Sequence, residues 1–217
     1  MSELDFSAMR AAMVSNQLRT NNVSEPRMLE ALEAVAREKF VPSERASLAY
    51  IDLPVPLGNG RSLNAPLITA RLIVEAGIRA GDKVLLVGAA TGYAAALLAK
   101  LGATVVALEE DEALAARARA NLADTAGISV VSGPLTAGWR KDAPYDAIVI
   151  DGAVEHVPDA LAAQLSDVGR LVTGLVDRGV TRLAFGRKAG AGVGLVPFVE
   201  METVPLPGFS TPKGFSF

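Results

Sequence analysis

Between Gly81 and Gly174 the chain alternates short apolar runs with helix-forming stretches, and few folds admit that rhythm. Lys83–Val87 (KVLLV) is apolar at four successive positions and too brief for a core helix, so it reads as a strand buried on both faces. Thr104–Leu108 (TVVAL), Ile128–Val131 and Asp146–Ile150 (DAIVI) repeat the signal, and a further strand is expected around Arg170–Gly174. Helices are expected at Tyr93–Lys100, over the Ala/Arg-rich Asp111–Leu122 and around Pro158–Leu165. Strands and helices alternating at this spacing pair in parallel through right-handed crossovers. The expected class is α/β, a doubly wound, mostly parallel sheet. From Thr181 the pattern changes. Arg182–Phe185 and Leu195–Thr203 are strand-like and flank the glycine-rich Gly190–Gly194, as in a terminal antiparallel hairpin.

Upstream of the sheet, Met9, Met13 and Leu18 lie at helical spacing within Phe6–Leu18, and Asn21–Val23 interrupts the pattern. Ser24 is the expected N-cap of a second helix with Pro26 in its first turn and Leu29, Leu32 and Val35 on one face. Val41-Pro42 ends that segment. Leu53–Pro66 then holds three prolines and two glycines, an extended stretch too long for a plain connector and so a candidate functional loop. The expected organisation is a single domain. Its parts are N-terminal helices and loop over 1–66, the sheet core over 67–180 and C-terminal strands over 181–217.

Composition narrows the chemistry. Cysteine is absent, which excludes disulfides, thiolate catalysis and cysteine–zinc sites, and no metal site is expected. A net charge of −3 offers nothing to attract nucleic acid or an anionic membrane, so neither is an expected partner. The first six residues carry two acids and no apolar core, unlike a signal peptide, and Ala94–Ala99 is far too short to span a bilayer. A cytoplasmic address is expected by default.

Gly88-Ala89-Ala90-Thr91-Gly92 joins the first core strand to its helix. Ligands of such sheets sit beyond the carboxyl ends of the strands, where glycines admit close backbone approach. Glu109, 21 residues after Gly88, ends the next strand, where a carboxylate can accept both hydroxyls of a ribose. A tight turn followed by a helix-capping acid produces the same pattern, and spacing alone leaves both readings open. The third glycine of a dinucleotide fingerprint would fall near Ala94, which speaks against NAD. Trp139 and Tyr93 are expected in the core and His156, the single histidine, at the surface. Asp151, at a strand end, is either a ligand contact or a turn former.

Taken with its flanks, the chain resembles the protein-L-isoaspartate O-methyltransferase family of class I S-adenosylmethionine-dependent methyltransferases. Met13-Val14-Ser15-Asn16-Gln17-Leu18 is similar to the family's M-V-x-x-Q-L. Phe40-Val41-Pro42 and Ala49-Tyr50-Ile51-Asp52 resemble F-V-P and A-Y-x-D. Pro56–Gly60 resembles P-I-G-x-G, and Arg61–Pro66 (RSLNAP) aligns with Q-T-I-S-Q-P. Gly81–Leu85, Gly92-Tyr93 and Pro144–Ile148 fit as well, so the likeness runs in order from about Met13 to Val199. It departs at functional positions. The loop G-T-G-S-G-Y is here Gly88–Tyr93 with Ala90 for the middle glycine, and the acid preceding it is Leu86. The G-D-G after the third core strand is Gly133-Pro134-Leu135. The substrate-loop serine is Asn64, and its glutamines are Arg61 and Ala65.

The resemblance implies S-adenosylmethionine, weakly held, as cofactor, with Gly88, Thr91, Gly92, Glu109 and Gly133 around it. It implies isoaspartate-bearing damaged proteins or peptides as partners, with Ser62, Asn64 and Pro66 binding the substrate and Asn64 the catalytic position. Methyl transfer to a carboxylate needs no strong base, because the nucleophile is already ionised at neutral pH; alignment and exclusion of water suffice. The alternative from another class is a catalytically lapsed member of the fold that binds a protein or another small molecule. An NAD-linked oxidoreductase lacks the glycine pattern and a proton donor beyond His156.

Overall fold

Strand β3 (Lys83–Val87) lies at the middle of a seven-stranded sheet in the computed structural model, which describes residues 4–190 and 192–211. The neighbours are β4 (Thr104–Glu109) and β5 (Ile128–Ser132) on one side. On the other are β6 (Tyr145–Val154), β7 (Leu165–Asp177), β8 (Val180–Ala189) and β9 (Gly192–Glu200), giving the order β5-β4-β3-β6-β7-β8-β9. The first five pair in parallel, and β7-β8-β9 are antiparallel, as the sequence pattern predicts. Ala191, between β8 and β9, lies outside the described residues.

The apolar runs lack polar positions because both faces of the strands are covered. Val84 and Leu86 of β3 join a core with α2 (Pro26–Ala34), α3 (Pro66–Ala76), α4 (Tyr93–Lys100) and α5 (Glu112–Asn121). Leu85 and Val87 face the opposite core, with Leu135, Leu161, Leu206 and Phe209. On that second face the crossover helix α6 (Asp159–Ala162) is a single turn, so the tail residues Leu206 and Phe209 supply cover that a longer helix would otherwise give. Pairing runs outward from β3 in both directions, so the carboxyl ends of β3, β4 and β6 form the crevice where ligands of such sheets bind.

Several local expectations are corrected. The first helix, α1 (Phe6–Ala12), does not run regularly to Leu18; Met13–Leu18 continues as a π-helical turn that buries Met13, Val14 and Leu18. The N-cap of α2 is Glu25 and not Ser24: its carboxylate accepts from the amides of Arg27 (3.3 Å) and Met28 (2.7 Å). The stretch after Leu53 is more ordered than an extended loop. It folds as a hairpin of β1 (Val55–Gly58) and β2 (Arg61–Leu63). Its tip needs left-handed backbone, supplied by Gly58, Asn59 and Gly60 at φ 101°, 50° and 73°. Asn59 then donates to Asp111 Oδ2 (3.0 Å) while Asp111 Oδ1 caps α5 through Ala113 and Leu114. The Asn59 hydrogen bond, followed by the cap, holds the Asp111 carboxyl below its ordinary range. The hairpin is thereby pinned across the carboxyl end of the sheet.

The two-sided core makes a contrast that denaturant titration can read. Leu86→Ala, at a fully buried site, is expected to cost about 2–5 kcal/mol. Leu53→Ala, at an exposed site, should stay within about 0.5 kcal/mol. Similar losses at both positions would contradict the assignment of β3 to the centre of the core.

Candidate active site

The loop after β3 turns sharply, with Gly88, Ala90 and Gly92 all at positive φ (79°, 51° and 101°). Left-handed backbone costs an alanine about 1–2 kcal/mol relative to glycine. At Ala90 a hydrogen bond from its amide to Glu109 Oε2 (2.7 Å) offsets part of this cost. Thr91, a predicted cofactor contact, is buried and donates to the Phe40 carbonyl (2.5 Å), so its side chain fastens the loop to the N-terminal layer. Gly133 donates its amide to the Glu109 carbonyl (3.1 Å) and lies against the Trp139 ring.

Glu109 is sealed from solvent, and its carboxylate accepts from several groups of the chain. Besides Ala90, the amides of Glu110 (3.0 Å) and Asp111 (3.1 Å) donate to Oε1. Arg61 of β2 clasps the carboxylate from the front, Nη1 on Oε1 and Nη2 on Oε2 at 2.9 Å. The guanidinium therefore stands where the sequence reading places the hydroxyls of a ribose.

Beside this pair the tail crosses the strand ends. Val204 accepts from the Ala153 amide (2.7 Å) and Leu206 donates to the Ala153 carbonyl (3.0 Å), so 204–206 adds a short parallel pairing to the end of β6. Leu206 packs on Gly88 and Gly152. A methyl group on Gly88 would come within 2.9 Å of the leucine side chain, and one on Gly152 within 2.4 Å. Gly152 must thus be glycine for the leucine to fit, and Gly88 must be so for its left-handed backbone. In terms of chemistry the set suits S-adenosylmethionine: a carboxylate at a strand end beside a glycine turn. As folded, Arg61 hydrogen-bonds that carboxylate and Leu206 packs on the glycine turn.

Asn64 sits behind this barrier and is fully engaged. Its Nδ2 donates to the Asp151 side chain (2.8 Å) and backbone carbonyl (2.9 Å), and its Oδ1 accepts from the Val204 amide (3.0 Å). Thr69 also donates to Asp151 (3.1 Å). Arg37, fully buried, lies 4.6 Å from the Tyr93 ring centre and donates to the carbonyls of Asn64 (2.5 Å) and Ala49 (2.7 Å). Burial pushes the Asp151 carboxyl above its ordinary range, against the opposing pull of the Asn64 and Thr69 hydrogen bonds and of the Arg37 and Arg61 charges. Ser62 is half-buried on β2, and Pro66 opens α3. His156 is exposed, as expected.

Two grooves flank the barrier. One, of about 430 Å³, is lined by Asn59, Arg61, Glu110, Asp111, Pro205 and Leu206. The other, of about 440 Å³, runs along Leu53, Ala65, Ile68, Met201, Thr203 and Pro205. They meet at Pro205, with Glu109 behind the Arg61–Leu206 wall. The structure brings Gly88, Gly92, Glu109 and Gly133 together at the strand ends and sets Arg61, Val204 and Leu206 beside them, which sequence reading does not anticipate. The available signals were Gly152, two residues past the apolar run of β6, and the two prolines around Leu206, which stop the tail from continuing the hairpin. Among the described residues no His/Asp/Glu group is arranged to hold a metal, and no helix is long and apolar enough to cross a membrane.

Residues 9–206 match the sequence profile of the family described as protein-L-isoaspartate(D-aspartate) O-methyltransferase. A protein-L-isoaspartate O-methyltransferase of Methylorubrum populi is 45% identical over 166 residues, 76% of this chain and 78% of the relative. One from Methanoculleus marisnigri is 39% identical over 201 residues, 92% and 91% of the two chains. Among solved structures, a protein-L-isoaspartate O-methyltransferase superposes at TM-score 0.80 and 21% identity, covering 94% of this chain and 66% of that one. A Plasmodium falciparum protein solved with S-adenosyl-L-homocysteine gives 0.76 at 18%, covering 94% and 99%. The two structures bear on the fold, which is that of a class I methyltransferase; the profile and the sequence relatives bear on descent, and by them the chain belongs to the protein-L-isoaspartate(D-aspartate) O-methyltransferase family.

Proposed function

We propose that the protein is an S-adenosylmethionine-dependent methyltransferase that esterifies the carboxylate of L-isoaspartyl residues in damaged proteins or peptides. The observation that carries the reading is a groove lined by Arg61, in front of the strand-end carboxylate of Glu109, meeting a second groove at Pro205, in a chain of this family. S-adenosylmethionine supplies the methyl group already activated. The chain's part is to bind, align and exclude water. Glu109 would hold the ribose once Arg61 has moved from it, and Gly88, Gly92 and Gly133 would bring backbone close to the cofactor. Thr91 keeps the loop in place through the Phe40 carbonyl. On the other side the acceptor groove is lined from the same stretch by Ala65, beside Asn64, whose carbonyl Arg37 holds; Ser62, Asn64 and Pro66 do not themselves line it.

A second reading has its own observation. Arg61 on Glu109, Leu206 between two glycines and Pro134 in place of an acid together suit a member of the family that binds a partner without turning over.

A radiolabelled methyl assay decides between them. The first reading expects label on an isoaspartyl peptide and little on its aspartyl counterpart. Equal labelling of both would end the isoaspartyl assignment, and no labelling of either would leave the binding reading.

Asp151 makes a second expectation. A carboxyl whose folded pKa lies above its unfolded value holds protons more tightly in the fold. The stability it contributes is therefore fully present below the unfolded value near 3.9 and lost as pH rises through the folded one. In urea titrations from pH 7 to pH 4, the parent should gain stability on acidification relative to Asp151→Asn. Parallel curves for the two would contradict the buried-carboxyl assignment.

A further inference from the structure

We propose that Arg61 and Leu206 form a built-in occupant of the cofactor cleft, which S-adenosylmethionine must displace to bind. The proposal rests on the methyltransferase reading of the same site and adds its regulation.

The occupant has a polar half and an apolar half. Arg61, 7% exposed, saturates the carboxylate that would otherwise meet a ribose, through two charge-assisted hydrogen bonds. Leu206 fills the space over Gly88 and Gly152 that a close ligand would take. Neither half is a loose side chain caught in passing. Leu206 is carried on a segment fixed by the Ala153 amide and carbonyl and by Asn64 Oδ1 on the Val204 amide. Arg61 is carried on a hairpin whose tip is fastened to Asp111.

The same geometry provides a place for Arg61 to go. The groove in front of it is lined by Glu110, Asp111 and the Pro205–Pro207 segment. A guanidinium that turns outward finds two carboxylates near water, so opening does not strand a charge. The closed state is favoured because Arg61 gives the covered Glu109 carboxylate a cation in addition to its three amide donors. A ligand that meets a site open only a small fraction of the time binds more weakly by that fraction.

The experiment is calorimetric titration of S-adenosylhomocysteine into the full chain, its Arg61→Gln variant and its Leu206→Ala variant, each checked for folding by near-ultraviolet circular dichroism. Arg61→Gln removes the cation and keeps a neutral donor. Leu206→Ala empties the apolar half and serves alone should the first variant fail to fold. Either folded variant is expected to bind at least about tenfold more tightly than the parent, about 1.4 kcal/mol. Ligand-free Arg61→Gln should melt lower than the parent, with saturating S-adenosylhomocysteine restoring much of the loss. Folded variants that bind no more tightly than the parent, or do not bind, would overturn the proposal. Tighter binding without transfer to an isoaspartyl peptide would overturn the enzymatic reading and leave the occupant standing. A parent that methylates such a peptide while both variants bind no better would do the reverse.

Discussion

A carboxylate sealed inside a protein must be answered by donors, and Glu109 at the end of β4 is answered five times. Three backbone amides come from the turn around it, and two guanidinium hydrogen bonds come from Arg61. The amides explain the shape of the loops. Ala90 holds a backbone conformation that favours glycine because its amide is wanted at Oε2. The guanidinium explains the hairpin, since β2 must pass in front of the strand ends for Arg61 to reach. Removing one partner of such a pair is far costlier than never having had it, because the remaining charge is left without water.

The tail follows from a different shortage. With α6 reduced to one turn, the second face of the sheet lacks a full helical layer, and Leu206 and Phe209 fill the gap at its carboxyl end. That solution places a leucine where two glycines leave room. Asn64 then ties the tail to β6 by bridging the Val204 amide and Asp151. Core completion and closure of the crevice are thus one structural event.

Much of this was legible in the sequence. The both-face burial of Lys83–Val87 and the change of pattern at Thr181 announce the parallel core and its antiparallel edge, because hydrophobic period reports directly on which faces are covered. Gly88 and Glu109 announce the crevice. The occupants were not legible, for a physical reason. An arginine in a hairpin and a leucine between prolines carry no periodic signal, and what they touch is set by contacts 48 residues away for Arg61. Ser24 was a better N-cap by type than Glu25, yet the longer acid reaches two amides in its place. The hairpin at Asn59 was hidden because its turn is set by three left-handed residues rather than by alternating strands.

The central claim is that the Arg61–Glu109 pair must open before a cofactor can reach the carboxylate. Crystal structures of the parent chain with and without S-adenosylhomocysteine test it most directly. The account predicts a ligand-free structure with Arg61 clasping Glu109 and Leu206 between Gly88 and Gly152, and a bound structure with the guanidinium turned toward Glu110 and Asp111. A ligand-free crevice that stands open, with Glu109 reached by water and Leu206 away from the glycines, would contradict it.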